Sequence, residues 1–107
     1  MSGPDDAAML DRIRAEVQAV GPFVNWHGIT AENLSKHLVE PYRIVVNFSG
    51  WPTTMWVVVH EYPDPRKGYL VAYHPADKEW CLVERLGEEY VCDIAGDESL
   101  AEALSNM

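Results

Sequence analysis

From Tyr42 onward the hydrophobic residues repeat with a period of two, and this change of period constrains the fold more than any other feature. Large hydrophobic side chains occupy every second position, at Tyr42, Ile44, Val46 and Phe48, as expected for a strand with one buried side. The predicted strands cover 42–49, 53–62, 69–74, 80–86 and 89–95. Since the connections between them are short, the sequence predicts a five-stranded antiparallel meander.

Before this point the period is three to four residues, which is typical of helices. Leu10, Ile13 and Val17 fall on one helical face. The predicted helices cover 4–20 and 31–39, and a short C-terminal helix follows Asp97, the predicted cap. A chain of 107 residues has the length of one domain. We therefore predict a single α+β domain over 1–107 with two layers, in which the N-terminal helices cover one face of the sheet.

The charge of the chain restricts its possible partners. It carries 17 acidic and 8 basic side chains, a formal net charge of −9, and nine acidic and two basic residues fall in 77–107. Binding to nucleic acid or to an anionic membrane requires clustered Lys and Arg, so this charge argues against both. The acidic N-terminal segment does not match a secretory signal, and we expect a cytoplasmic protein with reduced cysteines.

No combination of residues in the sequence matches a catalytic, cofactor or metal motif. His27, His37, His60 and His74 lack the spacing that places two ligands on one helix face, so we predict no metal site. Cys81 lies in the most acidic part of the chain, where a reactive thiolate is disfavoured. We therefore assign no catalytic residue and no cofactor.

The register of the last predicted hairpin decides where the two thiols lie. A three-residue turn at 86–88 would pair Leu82 with Cys92, and would place Cys81 on the opposite face of the sheet from Cys92. It would also put Trp80 and Ile94 on the apolar face. A shift by one residue would bring both thiols to the same face. In either register the two thiols can serve as small apolar side chains that fill space.

Two groups of residues are candidates for binding a partner. Trp26 and Trp51 fall in predicted loops, where a tryptophan either anchors an interface or folds back over the core. The second group is acidic and lies at the last predicted turn and at the start of the last helix: Glu88, Glu89, Asp97 and Glu98. Such a group either steers a basic partner or only keeps the protein in solution.

In size, acidity and helix-then-sheet order the chain resembles two bacterial groups, the immunity proteins that neutralise toxins and the small acidic chaperones of secretion systems. The leading hypothesis is a non-enzymatic protein-binding module, most concretely an immunity or inhibitor protein whose acidic third steers a basic protein partner. A first alternative is a ligand-binding protein or enzyme that uses His60, His74 or Cys81 in a pocket between sheet and helices. A second alternative is a homodimer, similar to the secretion chaperones, that pairs its open edge strands or the faces of its sheet.

Overall fold

The structure, a computed structural model, describes residues 4–23, 25 and 27–107. The chain forms one N-terminal helix, five strands and a short C-terminal helix, and a single 3₁₀ turn at Leu34–Lys36 precedes the strands. The helices are α1 (Pro4–Gln18) and α2 (Leu100–Ser105), and the strands are β1 (Leu38–Phe48), β2 (Trp51–His60), β3 (Tyr69–His74), β4 (Glu79–Leu86) and β5 (Glu89–Asp97). The mixed helix and sheet composition and the order of the five strands are as predicted. Within the described residues, no helix has both the length and the apolar character needed to span a membrane.

The sheet closes into a small barrel, which the open two-layer meander predicted from the sequence did not include. Consecutive strands pair antiparallel, and β1 also pairs in parallel with β5, through Val46 with Tyr90 and Asn47 with Val91. Register shifts interrupt the pairing of β1 with β2, of β2 with β3 and of β4 with β5. Such bulges bend a strand and increase its twist, so five strands suffice to bring the two edges together. We call the contact between β1 and β5 the seam.

Two hydrophobic clusters hold this barrel and its helices together. The inner cluster fills the barrel, and its fully buried members are Val46, Met55, Val57, Leu70, Ala72, Cys81 and Val83. The outer cluster joins the outside of the sheet to α1, to the segment around Ile29 and Leu34, and to α2. The shift between Val57 and Val59 turns Val59 outward beside Val58. Strand β2 is therefore apolar on both sides, as its sequence predicted.

The helix predicted over 31–39 is wrong. Only Leu34–Lys36 forms a 3₁₀ turn, and β1 begins at Leu38, before the predicted start at 42. The carbonyl of His37 accepts a hydrogen bond from the backbone N–H of His60 at 2.9 Å, so the chain is already extended beside β2 at this point. Pro41 lies inside β1, at a register shift where the absence of its N–H breaks no ladder bond. Pairing with β2 thus outweighs the helical spacing of Leu34 and Leu38.

The first and last hairpins are tighter than the sequence suggested. Phe48 pairs with Trp51 across a two-residue turn whose residues both have positive φ, so Trp51 starts β2 instead of lying in a loop. Leu86 pairs with Glu89, which makes the last turn two residues long and shifts the predicted register. Helix α1 ends at Gln18, two residues before the predicted end.

Candidate functional site

An open depression lies along the seam on the outside of the barrel. It has a volume of about 250 Å³, and the residues that line it are Val45, Asn47, Gly50, Pro52, Glu89 and Tyr90. The amide of Asn47 donates a hydrogen bond of 3.2 Å to the carboxylate of Glu89, which ties β1 to the start of β5. The guanidinium of Arg85 lies 5.4 Å from the centre of the Tyr90 ring. The depression therefore has defined walls from both strands.

Two large apolar side chains in this part of the barrel are exposed to solvent. Trp51, which pairs with Phe48 at the β1–β2 turn, has 74% of its surface exposed, and Val45, which lines the depression, is 61% exposed. Other tryptophans are enclosed, since Trp56 is 8% exposed and Trp80 is fully buried. Trp51 thus does not cap the core, which was the alternative interpretation of this residue. We call the lining residues together with Trp51 the seam surface.

The four predicted acidic residues are placed at two separate ends of β5. Glu88 and Glu89 are exposed in and beside the β4–β5 turn, and Glu89 belongs to the seam surface. Glu98 is exposed beyond the other end of the strand. These carboxylates do not converge on one point, because they lie at the two ends of the fifth strand.

Asp97 lies in a buried environment, unlike the other three acids, which are exposed. It is buried and its Oδ1 accepts a hydrogen bond of 2.8 Å from the side chain of Asn106. Burial raises the pKa of its carboxyl above the ordinary value, and the bond from Asn106 only partly opposes this. Ser99, not Asp97, caps α2, because its hydroxyl accepts from the backbone N–H of Glu102. Asp97 therefore anchors the C-terminal helix to the end of β5.

Trp26, the other predicted anchor, lies outside the described residues. Its neighbour His27 is described, and its Nδ1 lies within hydrogen-bond distance, 2.6 Å, of Oε2 of Glu61, a buried acid that also accepts a bond from the backbone N–H of Tyr69. This arrangement fixes the segment before β1 against the start of β3.

The three residues of the enzyme alternative do not share a pocket. His60 pairs with Leu70, whereas His74 lies four residues further along β3, a separation of roughly 13 Å at the usual rise of a strand. Cys81 points into the barrel and is fully buried. A site that combines all three side chains is therefore not formed.

His60 nevertheless belongs to a polar group at its own end of the barrel. Its Nε2 lies 2.7 Å from the hydroxyl of Tyr42, and its carbonyl accepts a 3.0 Å bond from Nδ1 of His37. Burial lowers the pKa of His60 and raises that of Tyr42. An open pocket of about 350 Å³ lies beside this group, lined in part by His37 and His60. The arrangement favours a neutral imidazole that accepts the tyrosine hydroxyl proton in a hydrogen bond.

The two thiols lie on the same face of the sheet, the outcome of the one-residue shift. Cys92 packs against the inner cluster beside Cys81, and both are free thiols. The side-chain hydrogen bond with Cys92, together with burial, raises the pKa of Cys81. A raised pKa favours the protonated thiol, which is a weaker nucleophile than the thiolate.

One group of potential metal ligands was missed by the sequence analysis. His74, Asp77 and Glu79 each offer a ligand atom, and these atoms lie within 4.8 Å of one another. The prediction of no metal site considered only ligands spaced on one face of a helix, whereas these residues converge across the β3–β4 hairpin. The pairing of His74 with Glu79 in that hairpin was the signal that could have found them.

Comparison of the chain with protein-family models, with curated proteins and with solved structures finds no match. We therefore infer function from the contacts, burial and charge of the chain's own residues.

Proposed function

We propose that the chain is a non-enzymatic protein-binding module that receives a basic protein partner on its seam surface. The observation that carries this proposal is the exposure of Trp51, 74% of whose surface is open to solvent at the β1–β2 turn, next in sequence to Gly50 and Pro52 of the depression. Tryptophan is enriched among the residues that contribute most to binding energy at protein interfaces. The exposed indole and the exposed side chain of Val45 supply apolar area that a partner can bury.

The charge around the seam surface supports a basic partner. Glu89 lies in the surface and Glu88 adjoins it, and the part of the chain that forms β4, β5 and α2 is strongly acidic. Opposite charges raise the rate of encounter between two proteins and suppress association with acidic competitors. The most concrete form of this proposal is an immunity or inhibitor protein, which would cover a basic surface of the protein that it neutralises.

This function predicts that apolar and charged substitutions change different rate constants. We expect Trp51→Ala to speed dissociation about 30-fold, the equivalent of a hot-spot loss of about 2 kcal/mol. The double variant Glu88→Gln with Glu89→Gln should slow association instead, and added salt should slow the wild type in the same way. The measurement is binding kinetics against a partner captured from native lysate and purified.

Two controls separate the seam surface from the rest of the protein. Tyr62→Ala removes another exposed aromatic ring, outside the seam surface, and should leave dissociation unchanged. Asp11→Asn with Glu32→Gln makes the same change of net charge at exposed positions on α1 and in the following loop. If both charge pairs slow association equally, or if Trp51→Ala dissociates no faster than Tyr62→Ala, the proposed surface is wrong.

A further inference from the structure

The β3–β4 hairpin gathers three side chains with metal-binding atoms at one end of the barrel. His74 is the last residue of β3 and pairs directly with Glu79, the first residue of β4. Asp77 lies in the turn between them, and its Oδ2 is 3.5 Å from Nδ1 of His74. One ligand atom from each residue fits within a span of 4.8 Å. The strand pairing, and not a flexible loop alone, therefore sets the separation of two of the three ligands.

The imidazole of His74 supplies an independent observation at this place. Its side chain is 9% exposed, and Nδ1 is buried with no hydrogen-bond partner among the described residues. The ring of Phe48 packs beside it with the ring centres 5.3 Å apart, which limits its rotation. Buried polar atoms almost always have a partner, so an unpartnered nitrogen 3.5 Å from a carboxylate oxygen of Asp77 requires an explanation. A cation between the three groups would satisfy the nitrogen and balance the carboxylate charge.

We propose that His74, Asp77 and Glu79 form a binding site for a divalent transition metal ion such as Zn²⁺. One imidazole nitrogen with two carboxylate oxygens is a ligand set that suits zinc, whereas calcium and magnesium prefer oxygen alone. Three protein ligands leave a coordination position for water or for a group from outside the chain. This site lies at the opposite end of the barrel from His60, and Phe48, which packs beside His74, pairs with Trp51 at the β1–β2 turn.

Closing the ligands around the ion requires a small movement that the hairpin permits. Ligand atoms around tetrahedral zinc are about 3.3 Å apart, given bond lengths near 2 Å. The side chain of Asp77 is 57% exposed, so it can rotate toward His74 without disturbing the core. His74 itself is held by the barrel and needs no rearrangement.

The test is equilibrium dialysis of the purified full chain against Zn²⁺, followed by measurement of bound metal per chain. We expect one zinc ion per wild-type chain, and at least tenfold weaker binding in the double variant Asp77→Asn with Glu79→Gln. The matched control, Asp11→Asn with Glu32→Gln, removes the same charge at exposed positions outside the hairpin and should bind zinc as the wild type does. Cys92→Ser should also retain binding, because the thiols are not ligands in this proposal.

Each alternative outcome identifies a different error. Wild-type protein without stoichiometric zinc, or a double variant that binds zinc as tightly as the control, would overturn the proposal. Loss of binding in Cys92→Ser would assign the metal to the thiols instead. Should the double variant fail to fold, the single substitution Asp77→Asn at the exposed turn decides the question. A cobalt-loaded chain should show no thiolate-to-metal absorption, and such a band would equally contradict the site.

Discussion

Replacing Trp80 with alanine is expected to lower the free energy of unfolding by about 3–5 kcal/mol, as for other large-to-small substitutions of buried aromatic residues. Trp80 is fully buried in the outer cluster, and its ring lies 5.1 Å from that of Tyr73. Its indole N–H donates a hydrogen bond to the carboxylate of Glu16, which connects β4 to α1. The substitution therefore opens a cavity and also leaves a carboxylate without its donor.

Urea denaturation of the variant and the wild type measures this loss. The matched control is Trp51→Ala, which removes the same side chain from a position that is 74% exposed and should change stability by less than about 0.5 kcal/mol. Trp80→Phe keeps an aromatic ring and should lose less than alanine does. Similar losses for Trp80→Ala and Trp51→Ala would mean that Trp51 is part of the core, and the seam surface would then lack its anchor.

Gly68→Ala is expected to cost about 3 kcal/mol, although it adds only one methyl group. Gly68 has a φ of +66°, where a Cβ atom is strained by about 1–2 kcal/mol. A Cβ here would also overlap Oε1 of Glu61 and approach the ring of Tyr62 to 2.7 Å. Glu61 cannot move freely because it is buried between His27 and the backbone N–H of Tyr69. The methyl group therefore disturbs the anchoring of the segment before β1.

Gly87→Ala is the control that separates strain from overlap. Gly87 has a similar φ of +64°, but nothing lies within 4 Å of an added Cβ atom. It should lose only the strain of about 1–2 kcal/mol. Thermal unfolding of both variants gives the comparison, and equal losses would show that Glu61 and Tyr62 yield to the methyl group without cost.

The local pattern of the sequence predicts the helices and strands better than it predicts the closure of the sheet into a barrel. Alternation from Tyr42 and the spacing of Leu10, Ile13 and Val17 identify the five strands and α1, because each signal depends on neighbours in the sequence. Closure of the barrel depends on the bulges, which add residues that alternation does not reveal. The predicted helix over 31–39 fails for a related reason, since pairing of the chain with β2 is a long-range contact.

The candidate site could be predicted only in part. Trp51 and Glu89 were identified by residue type, yet the depression that Glu89 lines requires the parallel pairing of β1 with β5. For Asp97 the residue was identified but its role was not. Its position before a helix suggested a cap, whereas in the structure it is buried and accepts a hydrogen bond from Asn106. The potential metal ligands of the β3–β4 hairpin were not predicted, because His74 and Glu79 become neighbours only when the two strands pair.

Photo-crosslinking from position 51 tests the proposed function most directly. A benzophenone amino acid placed at Trp51 keeps an aromatic side chain on the seam surface, and the same residue at Lys67 provides an exposed control in the β2–β3 loop. We predict one discrete adduct from position 51 in native lysate, with a protein richer in Lys and Arg than in Asp and Glu. Excess unlabelled chain should abolish it, and position 67 should give no such adduct. Equal labelling from both positions, an acidic partner, or an adduct with a second copy of this chain would contradict the proposal, and the last result would favour the homodimer.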